Sequence, residues 1–281
     1  MSTIDHIDGR IALGASEPSA STLPPKRNRV AHRAWGLLLP GLALAAAEAA
    51  VRAGWVPAHL LPPPSEVFRT LAELINRGLG AHMLASSLRV LAGFLVGASL
   101  AIAMGTWVGL NTRGRVLLDP SVQALRAIPS LAWVPLLLLW LGIDEASKVA
   151  LIAIGAFFPV YMGVSSGFRD VDRKLVEVAE MAGLAGPALV RRVLLPAAMP
   201  AVLNGLRGGL SLAWMFMVAA ELIAATRGLG YLLTDGRETG RADIVLAAIL
   251  LLALLGQVSD TVLAAVERRL LAWRDTLDTR S

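Results

Sequence analysis

Long apolar stretches alternate with short polar segments through most of this chain. A helix of about 20 apolar residues is long enough to cross the hydrocarbon core of a bilayer. The pattern predicts six such spans, at 34–53, 88–110, 122–141, 149–168, 206–226 and 244–266. We therefore expect an all-α integral membrane protein with six transmembrane helices.

The polar segment between the first two spans carries a helical pattern of its own. Pro62, Pro63 and Pro64 interrupt regular structure, and Ser65 follows as a candidate N-cap. Apolar residues then recur at helical spacing, at Val67, Leu71, Leu74 and Ile75. This stripe predicts an amphipathic helix on the outer membrane surface.

Glycine and proline positions predict how the spans pack. Two pairs of glycines four residues apart, Gly93 with Gly97 and Gly105 with Gly109, allow close helix approach. We favour packing within one subunit over a dimer seam. Pro129 and Pro135 should distort the third span, because proline has no backbone N–H to donate within a helix. Neighbouring groups must then satisfy the backbone carbonyls that are left without a partner.

The longest charged segment between two apolar runs is 170–200. An apolar helical face is formed there by Val171, Leu175, Val178, Ala179 and Ala182. Gly183 should end this helix, since glycine adopts positive φ cheaply. Gly186 and Pro187 would begin a second short helix at 188–195, and Pro196 and Pro200 would mark its end. An ordinary interhelical loop could show the same pattern.

Composition and charge narrow the possible functions. Residues are 56% hydrophobic and 17% charged, whereas soluble domains carry roughly 25% charged residues. The net charge of +5 comes from basic residues at span ends, so it does not indicate nucleic acid binding. There is no cysteine, no clustered histidine and no Gly-Lys-Ser/Thr phosphate loop. We therefore predict no catalytic residue, no metal, no cofactor and no ATPase site in this chain.

The basic residues also predict the orientation. With six spans both termini share one side, which holds Lys26, Arg27, Arg29, Arg33, Arg113, Arg115, Arg169, Arg173, Lys174, Arg191, Arg192, Arg268, Arg269 and Arg274. The loops of the other side hold fewer, namely Arg69, Arg77, Lys148, Arg227, Arg237 and Arg241. The positive-inside rule places the richer side, and both termini, in the cytoplasm. No signal peptide is expected.

The segment 170–200 also carries a recognisable motif. Glu177-Val-Ala-Glu-Met-Ala-Gly183 is followed, after nine residues, by Val193-Leu-Leu195-Pro196. This pattern resembles the EAA loop of binding-protein-dependent ABC importer permeases, with Val178 and Val193 as mild departures. The resemblance implies a type I ABC importer permease fold. It also implies that the loop couples to an ATPase through Glu177, Ala179, Gly183, Arg191, Leu195 and Pro196.

Two further segments resemble the sulfonate, taurine and nitrate branch of that family. One runs from Leu125-Arg126 to Lys148, and the other is Gly228-Leu-Gly230-Tyr231-Leu-Leu233. The resemblance implies an ATP-driven importer of a small anion, with an aliphatic sulfonate as the first candidate and taurine, nitrate or a vitamin precursor as alternatives. A stand-alone secondary transporter or a membrane-embedded enzyme would need clustered charge inside the spans, where Glu221 and Asp260 are expected to stand alone.

The family also implies partners and a division of the chain. The partners would be two cytoplasmic ATP-binding subunits, a second copy of the permease, an extracytoplasmic solute-binding protein and the lipid of a bacterial inner membrane, with no nucleic acid. The predicted divisions are a cytoplasmic tail at 1–33, the first span and an extracytoplasmic amphipathic segment at 34–83, the permease domain at 84–266 with its coupling loop at 170–200, and a cytoplasmic tail at 267–281.

Four residues are candidates for the translocation path: Arg126, Pro129, Trp214 and Glu221. Intramembrane carboxylates usually face a protein interior or a water-filled cavity. Glu221 could therefore line the path or make a structural hydrogen bond between spans. Arg126 and Arg207 could guide an anion or anchor the spans at the cytoplasmic end. Trp214 could line a gate or simply pack between helices.

Overall fold

The computed structural model describes residues 29–273, which are helical and contain no strand. The helices are α1 Arg29–Arg52, α2 Pro64–Asn76, α3 Leu79–Leu110, α4 Thr112–Ala127, α5 Val134–Leu141, α6 Glu145–Arg169, α7 Arg173–Met181, α8 Gly186–Leu189, α9 Leu195–Ala224, α10 Leu229–Glu238 and α11 Ala242–Leu270. Most of the tail predicted at 1–33, and the end of the tail predicted at 267–281, lie outside the described residues.

The chain divides into two units, Met1–Ala46 and Ala47–Ser281. The described part of the first unit is the beginning of α1, with Pro40 inside the helix. The second unit holds the remaining helices. It is the unit that contains the sites described below.

Four helical segments are long and apolar enough to cross a membrane: Leu79–Leu110, Glu145–Arg169, Gly186–Ile223 and Ala242–Leu270. A fifth span results if Thr112–Ala127 and Ser130–Leu141, which meet at 89°, are counted together. The described residues thus give four or five spans where six were predicted. The predicted span at 34–53, which corresponds to α1, is not among them. This finding is compatible with six spans but does not confirm that number.

The third predicted span, 122–141, is not one continuous helix. Ile128 has an extended backbone, with φ −77° and ψ 125°, because the ring of Pro129 disfavours helical geometry in the residue before it. A short 3₁₀ turn, Ser130–Trp133, then leads into α5. Pro135 lies in the first turn of α5, where its missing N–H costs little. The expected distortion is confirmed at Pro129, and there it breaks the helix.

The centre of the second unit is α6, which packs against α3 on one side and α9 on the other. The two glycine pairs of α3 face α6: a Cβ on Gly93 or Gly97 would meet Ile152 or the Ala153 carbonyl. On the other side of α6, Gly163 lies against Gly205 of α9. The expectation that the α3 glycines pack within one subunit is therefore confirmed. Apolar side chains complete this core, among them Ala101, Ile152, Val160, Tyr161, Val164, Phe216 and Met217.

The amphipathic helix α2 forms where it was predicted, but its first turn differs. The N-cap is Pro63, and Ser65 lies inside the helix, so its prediction as N-cap is wrong. The Ser65 N–H and hydroxyl instead donate to Glu48, at 3.1 and 2.8 Å. Glu48 also pairs with Arg52 at 2.6 Å, since residues four apart lie on the same face of a helix.

The buried face of α2 packs against α10 and α11 rather than against lipid alone. Val67 and Leu74 are buried in this cluster, whereas Ile75, predicted in the same stripe, is exposed. Thr70 on the same face donates to Asp243 at 2.6 Å. The hydrogen bond from Arg241 to the Asp243 carboxylate raises the pKa of Arg241 above its usual value.

Close packing of α3 on α6 gives a stability prediction. Gly97→Leu should lower the thermal unfolding temperature of the detergent-solubilised chain, because overpacking a tight core costs about 1–3 kcal/mol. Gly256→Leu in α11 is the matched control, since nothing lies within 4 Å of a Cβ built there. Equal unfolding temperatures for the two variants would contradict the packing described here.

Candidate functional site

The predicted coupling loop is a helix, a glycine break and a second helix. The Asp172 carboxylate caps α7 by accepting from the Lys174 N–H at 2.9 Å. Gly183 has φ +79°, and its N–H donates to the Glu180 carbonyl at 2.9 Å. The Leu184 N–H donates to the Ala179 carbonyl at 3.0 Å. These two bonds define a Schellman cap, which needs a residue with positive φ at the position of Gly183.

The prediction that the second helix of this loop ends at Pro196 is wrong. α8 passes through a π turn, Val190–Leu194, directly into α9. The Leu195 N–H bonds to the carbonyl of Val190, five residues back, and Pro196 then occupies the first turn of α9. A proline at this position is tolerated because the widened turn accommodates its ring and missing N–H. The loop is therefore joined to a membrane span without a break.

One side of the loop presents apolar side chains to its surroundings. Leu175, Val178 and Met181 follow each other at three-residue spacing on α7 and are all exposed. Glu177 lies beside them and pairs with Arg173 at 2.8 Å. An exposed apolar patch with charges at its edge is typical of a protein interaction site. We call Leu175, Val178 and Met181 the α7 patch.

The other predicted coupling residues are placed differently from one another. Ala179 is 6% exposed and packs within the chain, so its side chain is not part of the exposed surface of the loop. Arg191 is exposed on the π turn, Leu195 is exposed at its end, and Pro196 is half-buried. The apolar face predicted for α7 is therefore divided between an inward residue, Ala179, and the outward α7 patch.

The four translocation-path candidates do not come together at one place. A cavity of about 390 Å³ lies between the α4–α5 bend, α6 and α9, and its lining is Arg126, Ser130, Gly155, Phe158, Pro159, Met162, Leu212, Met215 and Phe216. Arg126 contributes the charge in this lining, and Pro129 precedes its Ser130. Trp214 donates from its Nε1 to the Ser259 hydroxyl of α11 at 2.9 Å instead.

Glu221 lies in a buried polar cluster rather than in this cavity. It is 1% exposed and accepts hydrogen bonds from Arg89 at 2.7 Å and from the Ser86 hydroxyl at 2.8 Å. Arg89 also donates to both carboxylate oxygens of Glu145, at 2.6 and 2.7 Å. Lys148 donates to Glu145 at 3.0 Å. This geometry favours the structural alternative for Glu221, a bond between spans.

The glycine-containing segment after α9 forms the other wall of this cluster. The Gly230 N–H donates to Glu221 at 2.7 Å, and the Leu229 N–H donates to the Ser86 hydroxyl at 2.8 Å. Gly228 has φ +138°, and a Cβ there would overlap the Glu221 carboxylate. The two glycines are therefore required so that backbone can approach the carboxylate closely.

Arg89 is a functional residue that the sequence analysis missed, although it lies at the start of the predicted second span, 88–110. A signal was present. Ser86, Arg89, Gly93 and Gly97 follow one another at three- and four-residue spacing, which places them on one helical face. Polar residues on the same face as packing glycines indicate a buried partner. Lys148 was predicted in a loop, but it lies with Glu145 in the first turn of α6.

Asp260 has a partner too, contrary to the expectation that it stands alone. Arg207 of α9 donates to both of its carboxylate oxygens, at 3.0 and 2.8 Å, and to Glu267 at 3.3 Å. These contacts tie α9 to α11. They favour the anchoring alternative for Arg207. Among residues 29–273 no group of three side chains is placed to hold a metal ion.

These observations define a polytopic helical membrane protein with an exposed helix–glycine–helix segment. Residues 83–272 match the family described as the binding-protein-dependent transport system inner membrane component. The chain belongs to this family, so the resemblance to ABC importer permeases is confirmed. It is the membrane component of such a transporter and not its ATPase. Permeases of this family work with ATP-binding subunits and a substrate-binding protein.

Several relatives cover most of the chain. A Bacillus subtilis (strain 168) protein named as an aliphatic sulfonates transport permease is 41% identical over 244 residues, covering 86% of this chain and 88% of that protein. The taurine transport system permease of Escherichia coli (strain K12) is 36% identical, covering 76% of this chain and 80% of its own. The nitrate import permease of Synechocystis sp. (strain PCC 6803) is 31% identical, covering 74% and 79%.

A solved structure shares the fold. The inward-facing MetNI methionine ABC transporter superposes with a TM-score of 0.55 at 19% identity, covering 72% of this chain and 98% of that chain. The predicted permease fold is thereby confirmed.

Removing Glu221 should destabilise the chain strongly. Glu221→Met leaves a buried guanidinium without one of its counter-ions, and breaking a buried ion pair costs about 3–5 kcal/mol. We expect a large fall in the thermal unfolding temperature in detergent. Glu238→Met, at an exposed carboxylate of α10, is the control and should change it little.

The paired variant Arg89→Met with Glu221→Met should recover part of the loss, because no buried charge of this pair is then left alone. A double variant no more stable than the single one would contradict this account of the cluster.

Proposed function

We propose that this chain is the permease subunit through which an ATP-driven importer carries an aliphatic sulfonate into the cell. The observation that carries the proposal is the identity of 41% and 42% with two proteins named as aliphatic sulfonates transport permeases, over more than four fifths of this chain. Permeases named for taurine transport and nitrate import match this chain at lower identity, 36% and 31%. Taurine and nitrate are the alternative solutes within the same class.

The α7 patch and the residues around it are the proposed contact with the ATP-binding subunits. Its exposed apolar side chains, with Glu177 beside them and the exposed Arg191 on the π turn of the same loop, suit a partner groove that covers them. When two ATP-binding subunits close on ATP, they would move α7 and α8 of two permease copies together. Because α8 continues into α9, this displacement would reach the span that lines the Arg126 cavity.

The Arg126 cavity is the proposed part of the path at the inner half of the membrane. A single guanidinium in a mostly apolar lining attracts an anion without holding it with several ion pairs. A second cavity of about 380 Å³, lined mainly by apolar side chains, shares Phe158 with it. The apolar surroundings suit a short alkyl chain next to the charged group. Pro129, at the break that positions Arg126, would let α4 and α5 move separately.

We further propose that the α7–α8 loop and both termini are cytoplasmic, in a bacterial inner membrane, and that two copies of this chain form the path. The distribution of lysine and arginine supports the orientation. A stand-alone secondary transporter would have no use for the α7 patch, and family membership disfavours it.

Uptake by the reconstituted importer tests the proposal. The chain, its ATP-binding subunits and its solute-binding protein are placed in liposomes with ATP inside and labelled ethanesulfonate, taurine or nitrate outside. We expect ethanesulfonate uptake that requires ATP and the solute-binding protein. Uptake driven by an ion gradient without ATP would overturn the importer assignment. Preferential uptake of taurine or nitrate would make that compound, and not ethanesulfonate, the assigned solute.

The Schellman cap at Gly183 predicts a coupling defect. Proline cannot adopt a φ of +79° and lacks the N–H that bonds to Glu180, so Gly183→Pro should break the loop while the spans still insert. Solute uptake per ATP hydrolysed should fall at least about tenfold if the lost alignment costs about 1.4 kcal/mol or more.

Gly183→Asn is the matched control, because asparagine tolerates a left-handed backbone. It should keep most of the uptake. Normal uptake by the proline variant would show that the glycine cap has no role in coupling.

A further inference from the structure

The cluster around Glu221 contains two buried cations whose shared counter-ion is exposed. The side chains of Arg89 and Lys148 are 9% and 7% exposed, whereas that of Glu145 is 60% exposed. Glu221, the other carboxylate, is fully buried and also bound by Ser86 and Gly230. Of the two carboxylates, Glu145 is therefore the one that could leave without opening the helix packing.

Three N–H donors converge on the Glu145 carboxylate. Arg89 provides Nε at 2.6 Å and Nη2 at 2.7 Å, and Lys148 provides Nζ at 3.0 Å. The carboxylate has two oxygens for these three donors, so one oxygen accepts from both residues. A sulfonate has a single negative charge and three oxygens. It would give each donor an oxygen of its own.

We propose that Arg89 and Lys148 form a binding site for a monovalent, three-oxygen anion such as a sulfonate, and that Glu145 occupies this site in the structure described. The inference rests on the proposed function only for the identity of the anion. An arriving sulfonate displaces the Glu145 carboxylate, which turns into the surrounding water. Arg89 keeps its contacts with Glu221 at 2.7 Å and with the Arg227 carbonyl at 2.6 Å.

Charge balance favours an exchange over simple release of Glu145. Arg89, Lys148, Glu145 and Glu221 together carry no net charge, and replacing one monovalent anion by another preserves this balance. Release without replacement would leave Lys148 buried and unpaired, which is costly. The site therefore opens only when an anion is available, and this is a useful property for the entrance of an importer.

The position of the Arg89–Lys148 site agrees with a role at the entrance of the translocation path. Glu145 begins α6 and Arg169 ends it, immediately before the coupling loop. A helix of 25 residues spans about 37 Å at 1.5 Å per residue. The Arg89–Lys148 site and the α7 patch are thus at opposite ends of the spans. With the loop in the cytoplasm, the site faces the side on which a solute-binding protein releases its cargo.

Thermal unfolding of the transporter in lipid nanodiscs tests the site directly. Glu145→Gln removes the competing charge, so ethanesulfonate should bind and raise the unfolding temperature in a saturable manner. For an anion near 100 times its dissociation constant the rise should be several degrees. Wild-type protein should respond less at the same concentrations, because Glu145 competes.

Two controls test whether the rise in unfolding temperature is specific to the sulfonate and to this site. Sodium chloride at equal ionic strength should not reproduce the rise, and Glu145→Gln with Lys148→Met should abolish it. If Glu145→Gln does not fold, Glu145→Asp serves instead: its shorter carboxylate binds the cations less well, so an intermediate response is expected. A response equal to that of chloride, or one that survives Lys148→Met, would overturn the inference.

The result of this thermal unfolding test can be distinguished from the result of the uptake assay. ATP-dependent sulfonate uptake without an anion response in these variants would reject the Arg89–Lys148 site and leave the importer assignment standing. An anion response without uptake would reject the assignment and leave the site.

Discussion

A buried ion pair between Arg89 and Glu221 is the interaction on which one end of this helical bundle depends. Charges removed from water are tolerated only when almost every hydrogen-bonding position is filled. The chain meets this requirement with the Ser86 hydroxyl from α3, the Gly230 N–H and the Arg227 carbonyl after α9, and a second carboxylate from α6. The glycines at 228 and 230, and the loop geometry between α9 and α10, follow from that need.

Close helix packing connects the two ends of the same bundle, so that a movement at one end can reach the other. Gly97 of α3 and Gly163 of α6 bring the helix backbones close, so the three central helices pack with little free space between them. At the other end α8 runs through the π turn into α9 without a break. A force applied to the α7–α8 loop would therefore be transmitted as a movement of packed helices. The cavity beside Arg126 lies between these helices and the broken α4–α5 segment, where such a movement would change its shape.

Much of this arrangement could be predicted from the sequence, and the exceptions have physical reasons. Gly183 and the EAA-like spacing predicted the helix–glycine–helix segment at 170–200, because a short motif at fixed spacing is a local property. The partners of Glu221 and Asp260 were missed, because Arg89 and Arg207 are far from them in the chain. The spacing of Ser86, Arg89 and Gly93 indicates that Arg89 is buried, but it does not indicate which carboxylate on another helix pairs with it. The prediction that Pro196 ends a helix is wrong, because a π turn that accommodates a proline cannot be recognised from residue propensities. The direction in which Ala179 faces also depended on packing that only the structure shows.

Coupling to ATP hydrolysis requires that the α7 patch contacts an ATP-binding subunit, and site-specific cross-linking tests this contact. The chain contains no cysteine, so Met181→Cys and Glu238→Cys each introduce a single reactive thiol, one on the patch and one at the end of α10. A short cysteine-to-amine cross-linker is added to native membranes that contain the whole transporter. We predict a cross-link to the ATP-binding subunit from Met181→Cys and none from Glu238→Cys. No cross-link from Met181→Cys in a transporter that still imports its solute would contradict the account.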